Sequence, residues 1–456
     1  MIPRKVACES YGQGSVEPFH VGEPPSRAYI RRLKQIFGLT ALKAIFVPKG
    51  YPTSVSSDYL EYQVWDTIQA LASSITGTLS AQAVLLGVGV GDAQATILGA
   101  SLSWMLKDGA GMLGKILFVG WQGSNLDCDC KRWRLLADIL NDGSLFLELS
   151  SPFIPQLFTP ILCTANVLRA IVGVAGGATR VAVTQHQALD NNTADVAAKD
   201  ASQETLSNLL ALFLNMSLIY FVTGNWGVIW VLFVLLTIVH LYANYRAVKC
   251  LKFTTFNRNR FAIAVRPWLQ QQLQDHEMSD MGSSRSTSFP TIDWVNDHEP
   301  ILGSVVGTRI HLGCSLHDLP TSGVSSLPDL IKIFSSERYL LYCPDWRLVL
   351  DGGASARFSI YIILVNGCHS RDQLQAMLHA ELLLFISKLD GRTTVHSWLS
   401  QIRSSKTVSD FSHTTLVLAR HLFDQFEADV TNSPEPCWNL NALHFSAGQW
   451  RSTWIN

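Results

Sequence analysis

The 456-residue sequence has few charged residues, and over long stretches it has almost none. Asp, Glu, Lys and Arg make up 16% of the chain, whereas about a quarter is usual in soluble proteins. The 41 residues from Thr205 to Tyr245 include none of these four types, and between Thr67 and Leu106 the only one is Asp92. A helix as long as the first run, at about 1.5 Å per residue, measures roughly 60 Å, enough to cross a hydrocarbon core of about 30 Å twice. The pattern predicts membrane-spanning helices, with a buried helical pair in a soluble core as the alternative.

Other features that the sequence lacks argue against several classes of protein. It has no acidic or basic block, so nucleic acid is not an expected partner. The nine cysteines are scattered, and the pair Cys128 and Cys130 has no second Cys or His pair at ligand spacing. Neither a metal site nor a cofactor is therefore predicted, and the thiols are expected to be unpaired. Since no nucleophile elbow, HExxH motif, Rossmann fingerprint or P-loop occurs, we assign no catalytic residue and expect no enzymatic activity.

The apolar segments divide into about six predicted spans. Residues Thr223 to Gly227 combine a turn signal with an aromatic side chain suited to the membrane interface. The charge-free run therefore predicts a hairpin of two helices. The predicted spans are 66–90, 93–121, 135–150, 153–175, 205–223 and 226–244.

Two of these spans have unusual features. The second contains Lys107, Asp108 and several glycines at its centre, between apolar segments that are each too short to cross a membrane. A broken helix is expected there, because glycine permits an unwound segment as well as close helix packing. The fourth span carries Pro152, Pro155 and Pro160 near its start, which predicts a kink.

The distribution of Lys and Arg favours an even number of spans. With six spans, the N-terminal arm, residues 122–134, residues 176–204 and everything after 245 share one side, and all of them contain basic residues. The short turns near residues 91, 151 and 224, on the other side, contain none. This positive-inside pattern predicts that both termini lie on the cytosol-like side, without identifying the organelle.

The predicted fold is mainly α, with a polytopic helical membrane bundle followed by a small soluble α+β domain. The predicted parts are a loose N-terminal arm (1–45), the membrane core (46–250), a linker region (251–299) that includes a flexible stretch at Met278 to Ser288, and the C-terminal domain (300–456). Within that domain we predict strands at 339–342, 347–350 and 358–365, and helices at 371–389, with Ser370 as N-cap, and 414–428.

Ionisable groups at membrane depth are costly and are therefore the first candidates for binding. In the second span these are Lys107 and Asp108, which as sequence neighbours point to different helix faces. The third span places Asp138, Asn141 and Asp142 on one helical face by their i, i+3, i+4 spacing. These five residues are candidate binding residues on a pathway through the bundle.

A purely structural role is the alternative for these groups. Charged residues of neighbouring spans then pair and hold the bundle together, and Arg169 of the fourth span offers a counter-charge. The lone histidines His186 and His240 are likewise interpreted as structural.

The polar segment 175–204 supplies the remaining candidates. Arg180, after a glycine pair, would present a guanidinium and backbone amides to a phosphate or carboxylate. On a helix, Asn192, Asp195 and Lys199 form one polar stripe. A solvated connector with ordinary capping is the alternative.

Several of these segments together resemble the RUS (root UV-B sensitive) family. The matching segments occur in order along the chain, at 48–55, 58–66, 82–91, 107–114, 133–142, 175–180, 191–205 and 240–246. The resemblance covers about residues 45–250 and extends more weakly through the C-terminal domain to Trp454. The overall layout is most similar to the animal-type branch of the family.

The resemblance implies a membrane-associated protein with family links to UV-B responses, auxin transport and vitamin B6 homeostasis. It implies no catalytic residues. By analogy it favours a phosphorylated or carboxylated small molecule as ligand. The expected partners are the lipid bilayer, another family chain in a homo- or hetero-oligomer, and a small anionic metabolite.

Two functions are expected from these observations. The first is a carrier-like bundle that handles a small polar or anionic metabolite. The alternative is a membrane scaffold that transports nothing and whose C-terminal domain binds a protein partner.

Overall fold

The computed structural model of the protein divides into two compact units, residues 1–251 and 252–456. It describes residues 4–10, 16–21, 39–88, 97–278, 289–306, 309–351, 358–389, 397–433 and 437–455. The flexible stretch predicted at Met278 to Ser288 lies, apart from Met278, outside the described residues.

The first unit begins with regular structure where the sequence predicts a loose arm. Strands β1 (Arg4–Ser10) and β2 (Val16–Val21) pair antiparallel, and helix α1 (Leu39–Phe46) follows. Six long helices then form the bundle: α2 (Tyr59–Gly87), α3 (Ile97–Gln122), α4 (Cys130–Ser150), α5 (Phe158–Gln187), α6 (Thr193–Val222) and α7 (Trp226–Cys250).

Among the described residues, four helical segments are long and apolar enough to cross a membrane. They are Tyr59–Gly87, Pro155–Gln187, Thr193–Val222 and Trp226–Cys250. The last two form the predicted hairpin, whose turn contains Gly224 at a φ of +83°. The side chain of Asn225 caps α7 by accepting a hydrogen bond from the Val228 amide at 3.3 Å. The charge-free run therefore marks both helices and their turn correctly.

The predicted break in the second span is wrong, because α3 is one continuous helix. Its glycines allow close packing against α5 instead. A Cβ atom added at Gly111 would lie 2.4 Å from Asn166 Nδ2, and one at Gly114 would lie 2.9 Å from Val167. The Asn166 side chain also donates a hydrogen bond of 2.9 Å to the Lys107 carbonyl. Of the two roles that glycine permits, the structure uses close helix approach.

The prolines before α5 begin the helix rather than interrupt it. Pro152 and Pro155 lie in two short 3₁₀ turns, Ser151–Phe153 and Pro155–Leu157. Pro160 falls in the first turn of α5, where backbone N–H groups have no intrahelical partner to lose. The prolines thus produce an irregular entry to α5, where the sequence predicts a kink within the span.

The second unit is an α+β arrangement. Its elements are β3 (Thr255–Asn257), α8 (Arg258–Met278), α9 (Ile292–His298), β4 (Arg309–Leu312), α10 (Thr321–Ile333), β5 (Tyr339–Tyr342), α11 (Trp346–Asp351), β6 (Ser359–Leu364), α12 (Ser370–Ile386), α13 (Ser397–Arg403), α14 (Val408–Thr431) and β7 (Asn439–His444). One sheet has the order β4-β6-β5, with β4 parallel and β5 antiparallel to β6. A second, two-stranded sheet pairs β3 and β7 in parallel.

The hydrophobic core of this unit includes residues from the region predicted as a linker. Phe256, Phe261, Trp268 and Phe289 are almost completely buried in it. Phe261 and Trp268 lie two turns apart on α8, which gives this helix an apolar face. Much of the region 251–299 therefore belongs to the folded second unit.

The predictions for the C-terminal elements differ in outcome. The strand at 339–342 coincides with β5, the strand at 358–365 contains β6, and the helices at 371–389 and 414–428 overlap α12 and α14. The strand predicted at 347–350 is wrong, because these residues belong to α11. Its start is closed by a 2.9 Å hydrogen bond from the Leu348 amide to the Asp345 carbonyl. A short apolar run does not distinguish a strand from a buried helical turn.

Candidate functional site

A row of polar side chains, here called the polar ladder, lies between α2, α4 and α7. On each helix the members recur every three or four residues, so they share one face. The polar ladder consists of Asp66 and Gln69 on α2, Arg134, Asp138 and Asp142 on α4, and His240 and Asn244 on α7.

One end of the ladder is an ion pair with limited access to solvent. The guanidinium of Arg134 lies 2.6 Å from a carboxylate oxygen of Asp66, and the two side chains are 13% and 17% exposed. A charge-assisted hydrogen bond of this length is a strong contact. It joins α2 to α4 near the start of α4.

Asp138 forms the middle of the ladder. Its Oδ2 atom accepts a 2.9 Å hydrogen bond from Gln69 and another from the side-chain amide of Asn244. The Nε2 atom of His240 lies 3.5 Å from the same oxygen and 3.0 Å from Gln69 Nε2. One carboxylate therefore contacts polar groups on both neighbouring helices.

The other end of the ladder is a buried histidine–carboxylate pair. His240 Nδ1 lies 2.8 Å from Asp142 Oδ2 and 2.9 Å from its second oxygen. Beside this pair, Asn141 donates a hydrogen bond of 3.3 Å to Ser73. Asp142 follows Arg134 by eight residues on α4, which corresponds to about 12 Å along the helix axis. The ladder therefore extends from a partly exposed ion pair to a buried histidine–carboxylate pair.

The ladder holds more acidic than basic groups. Asp66, Asp138 and Asp142 face one permanent cation, Arg134, and one histidine. Coulomb interactions are strong at such sites, because the surrounding dielectric constant is low. A bound proton, or a ligand that carries a positive charge, would compensate this surplus negative charge.

Glu148 organises a second charged group on α3, α4 and α5. Its carboxylate lies 2.5 Å from Arg169 and 4.0 Å from the Lys107 ammonium, which also sits over the Trp104 ring. Lys107 faces the bundle whereas Asp108 is exposed, so the two point to different faces as predicted. Arg169 pairs with Glu148 and not with the predicted aspartate face.

Arg180 does not stand free for an anion. Its guanidinium donates hydrogen bonds to the carboxylates of Asp200 and Glu204, so α5 is joined to α6. Both partners lie on α6, one helical turn apart. The predicted anion-binding group is therefore engaged within the chain.

The remaining candidates of the polar segment hold the chain around α1. Asp195 accepts a 2.7 Å hydrogen bond from the Lys49 amide and lies 3.6 Å from the Lys199 ammonium. Lys199 also donates to the Ala44 carbonyl. Asn192, just before α6, accepts a 3.4 Å hydrogen bond from the Asp190 amide. These contacts match the structural alternative more closely than a ligand site.

Asp138 and Asp142 are the predicted candidates that the structure brings into the ladder, with Asn141 beside it. Sequence reasoning missed the partners on α2 and α7, and it interpreted His240 as a lone structural histidine. A usable signal was present. Polar residues recur at helical spacing in otherwise apolar spans, at 66, 69 and 73 on α2 and at 240 and 244 on α7.

Metal chemistry has no evident site in the described part of the chain. No group of three or more His, Cys, Asp or Glu side chains there is arranged to hold a metal ion. Within the same described residues, Cys128 and Cys130 belong to no disulfide.

Comparisons with known proteins agree with this architecture. The family described as the vitamin B6 photo-protection and homoeostasis domain matches residues 34–272, and the C-terminal domain of root UVB sensitive proteins matches residues 288–454. Protein root UVB sensitive 3 of Arabidopsis thaliana is 34% identical over 90% of this chain and 86% of its own length. RUS family member 1 of Dictyostelium discoideum is 42% identical over 60% of this chain and 50% of its own length.

No solved structure matches the chain. The two family domains nevertheless follow one another in order, and together they cover both units of the fold. The chain belongs to the RUS, or root UV-B sensitive, family.

Proposed function

We propose that this chain is a six-span membrane protein whose helical core is carrier-like and handles a small polar or anionic metabolite. The polar ladder is the observation that carries the proposal. Ionisable residues at membrane depth are costly and are retained mainly on substrate, ion or proton pathways. In this proposal α2 to α7 cross the bilayer, and both termini lie on the cytosol-like side.

The outward faces of the bundle support a membrane setting. Large apolar side chains are exposed there, including Phe213 and Phe221 on α6 and Val231 and Ile238 on α7. Exposed apolar surface on this scale is costly in water and favourable in lipid. Arg134, Asp138, Asp142 and Glu148 of α4, by contrast, face the bundle interior. This division is the one expected for a helix bundle with a polar pathway at its centre.

The family description suggests the first ligands to test. Vitamin B6 compounds are small and polar, and their phosphorylated forms are anionic. They therefore belong to the class of ligand that the resemblance to the family favours. Arg134, which pairs with Asp66, is the permanent cation of the ladder. We therefore propose B6 vitamers, phosphorylated or not, as candidate cargo.

Uptake into proteoliposomes tests the proposal. Vesicles containing the full chain are supplied with radiolabelled pyridoxine or pyridoxal 5′-phosphate. We expect saturable uptake of at least one of them, with a large loss in Arg134→Gln and Asp142→Asn. The exposed loop residue Asp127 provides a matched control, because Asp127→Asn should retain full uptake. Absence of uptake by the wild type, or equal uptake by all variants, would contradict the carrier.

A cavity in the second unit favours the scaffold as the second candidate function. It measures about 380 Å³ and is lined by Arg371, Leu374, Glu427, Trp438 and residues 439–441. An apolar floor with a charged and amide rim is typical of a site that binds a partner's side chain.

Substitutions at two exposed asparagines distinguish the scaffold function from the carrier function. Asn441→Arg, which places a bulky cation in the cavity, should abolish binding of a partner protein and leave vesicle uptake unchanged. Asn432→Arg, just after α14, is the control that should affect neither. Loss of uptake in Asn441→Arg would contradict a separate binding role for the cavity.

A further inference from the structure

The charge of the polar ladder does not balance when all its groups are ionised. Three carboxylates face Arg134, so the sum is −1 with His240 protonated and −2 with His240 neutral. An uncompensated charge inside a membrane bundle costs several kcal/mol. A bound proton removes this cost without any rearrangement of the helices.

The contacts within the ladder provide a route for a proton. His240 contacts Asp142 through Nδ1 at 2.8 Å, and its Nε2 atom lies 3.5 Å from Asp138. The imidazole can thus take a proton at Nε2 and release one from Nδ1, so that one N–H bond forms as another breaks. Asp138 lies one helical turn from Arg134, and its side chain is 14% exposed.

A buried acceptor next to Asp138 points independently to a missing hydrogen. Asn244 is 2% exposed, and its Nδ2 atom donates to Asp138. Its Oδ1 atom has no hydrogen-bond partner among the described residues. An unsatisfied buried acceptor is costly, and a protonated carboxyl group or a water molecule would satisfy it.

Groups on the surrounding helices do not compensate the ladder. Tyr62 on α2 is buried beside Arg134 and carries no charge at neutral pH. Asp200 on α6 is engaged by Arg180. On α3 and α5, Lys107 and Arg169 are directed to Glu148. Arg180, Lys107 and Arg169 therefore pair with carboxylates outside the ladder.

We propose that the polar ladder binds a proton between Asp138, His240 and Asp142 and exchanges it with water on one side of the membrane and then on the other, so that the carrier moves its metabolite together with protons. This inference rests on the proposed function and names its coupling ion. On entry, a hydronium ion gives its proton to a carboxylate oxygen, and water leaves. On release, the same O–H bond breaks and a water molecule takes the proton.

Infrared difference spectroscopy of the full chain in lipid vesicles tests the proton site without any metabolite. The wild type should show the C=O stretching band of a buried carboxylic acid at neutral pH, shifted in D₂O. Asp138→Asn or Asp142→Asn should remove this band, and Asp127→Asn should retain it. A wild-type spectrum without the band, or one in which both ladder variants keep it, would overturn the inference. The wild-type measurement can overturn the inference even if a variant does not fold.

Uptake measurements separate this inference from the proposed function. If the band is present but no B6 vitamer enters the vesicles, the proton site stands and the proposed cargo fails. If uptake occurs without the band and does not respond to an imposed pH gradient, the carrier stands and proton coupling fails. When both hold, an inward proton gradient should raise uptake several-fold, and Asp142→Asn should abolish that increase.

Discussion

His240 on α7 and Asp142 on α4 are 98 residues apart in the chain, and their side chains meet at 2.8 Å inside the bundle. Both are buried. In the buried interior the imidazole N–H needs a hydrogen-bond acceptor and the carboxylate needs a hydrogen-bond donor. Each side chain therefore satisfies the other. The pair joins the final helix of the bundle to its third long helix.

Removing one partner of this pair should destabilise the bundle strongly. Asp142→Ala leaves a buried imidazole without its acceptor, and the expected loss is about 3–5 kcal/mol. The double variant Asp142→Ala with His240→Leu should lose much less than the sum of the two single variants. Thermal unfolding of the full chain in detergent measures this coupling. Additive effects within about 0.5 kcal/mol would contradict a direct interaction.

Gly111 and Gly109 offer a matched test of the packing between α3 and α5. A Cβ atom at Gly111 would meet Asn166, whereas one at Gly109 would have no neighbour within 4 Å among the described residues. Gly111→Ala should therefore lower the thermal stability. Gly109→Ala should leave it unchanged or raise it slightly, since alanine favours a helix over glycine by about 1 kcal/mol. Equal stability of the two variants would contradict the close approach.

The absence of charge predicts the long helices well, because in lipid a backbone must satisfy its own hydrogen bonds. It does not predict where those helices end. α5 continues to Gln187 and α6 begins at Thr193, so the polar segment between the predicted spans is mostly helix. Polar residues at helix ends carry no signal that separates them from a connector.

The ladder shows a second limit of sequence reasoning. The spacing of Asp138 and Asp142 defines a polar face, but spacing on one helix cannot identify the partner helix. His240 looked isolated because its partner is far away in the chain. Contacts such as that between Arg169 and Glu148 depend on how whole helices pack, which no local pattern encodes.

His379 makes the stability of the second unit depend on pH in the acidic range. It lies fully buried on α12, and burial lowers its pKa to about 3. Its Nδ1 atom lies 3.2 Å from the Tyr339 hydroxyl, and its Nε2 atom has no hydrogen-bond partner in the described ranges. The folded protein therefore keeps this imidazole neutral at a pH where an unfolded chain, with a pKa of about 6.5, would protonate it.

The stability of the second unit should therefore fall as the pH falls from about 6.5 towards 3. The unfolded state binds the extra proton in this range, so the contribution is complete above pH 6.5 and decreases by up to about 1.4 kcal/mol per pH unit below it. His379→Leu removes this dependence, and His413→Gln, at an exposed position, should retain it. Pulse proteolysis of the full chain in urea measures the difference.

Comparing the wild type with His379→Leu separates the effect of this histidine on stability from the effects of other titratable groups. Burial raises the pKa of Glu381 against the opposing effect of Arg266, but both proteins contain that pair. Identical pH profiles of the wild type and His379→Leu would show that the imidazole is not buried in its neutral form.

Asp195 should protect the chain around α1 from proteolysis. It accepts a hydrogen bond from the Lys49 amide, and such bonds to a charged group contribute about 1.5–3 kcal/mol. Asp195→Ala should therefore increase local opening by at least about tenfold, so that trypsin cuts faster after Lys43 and Lys49. Asp190→Ala, at an exposed position nearby, is the control. Unchanged cleavage together with lost uptake would restore Asp195 as a ligand residue.

Asp108 lies on the exposed side of α3, together with Met105 and Met112, which are 70% and 68% exposed. A carboxylate directed into lipid is costly, so we expect another family chain to cover this stripe in a homo- or hetero-oligomer. Met112→Cys should form a disulfide-linked dimer on mild oxidation in vesicles that contain only this chain. Phe213→Cys, on the apolar face of α6, should form no disulfide-linked dimer, like the wild type. Because random collisions in the bilayer fall with dilution, a specific dimer should persist when lipid is added in excess. A Met112→Cys protein that remains monomeric would exclude self-association through α3 and leave a different family chain as its partner.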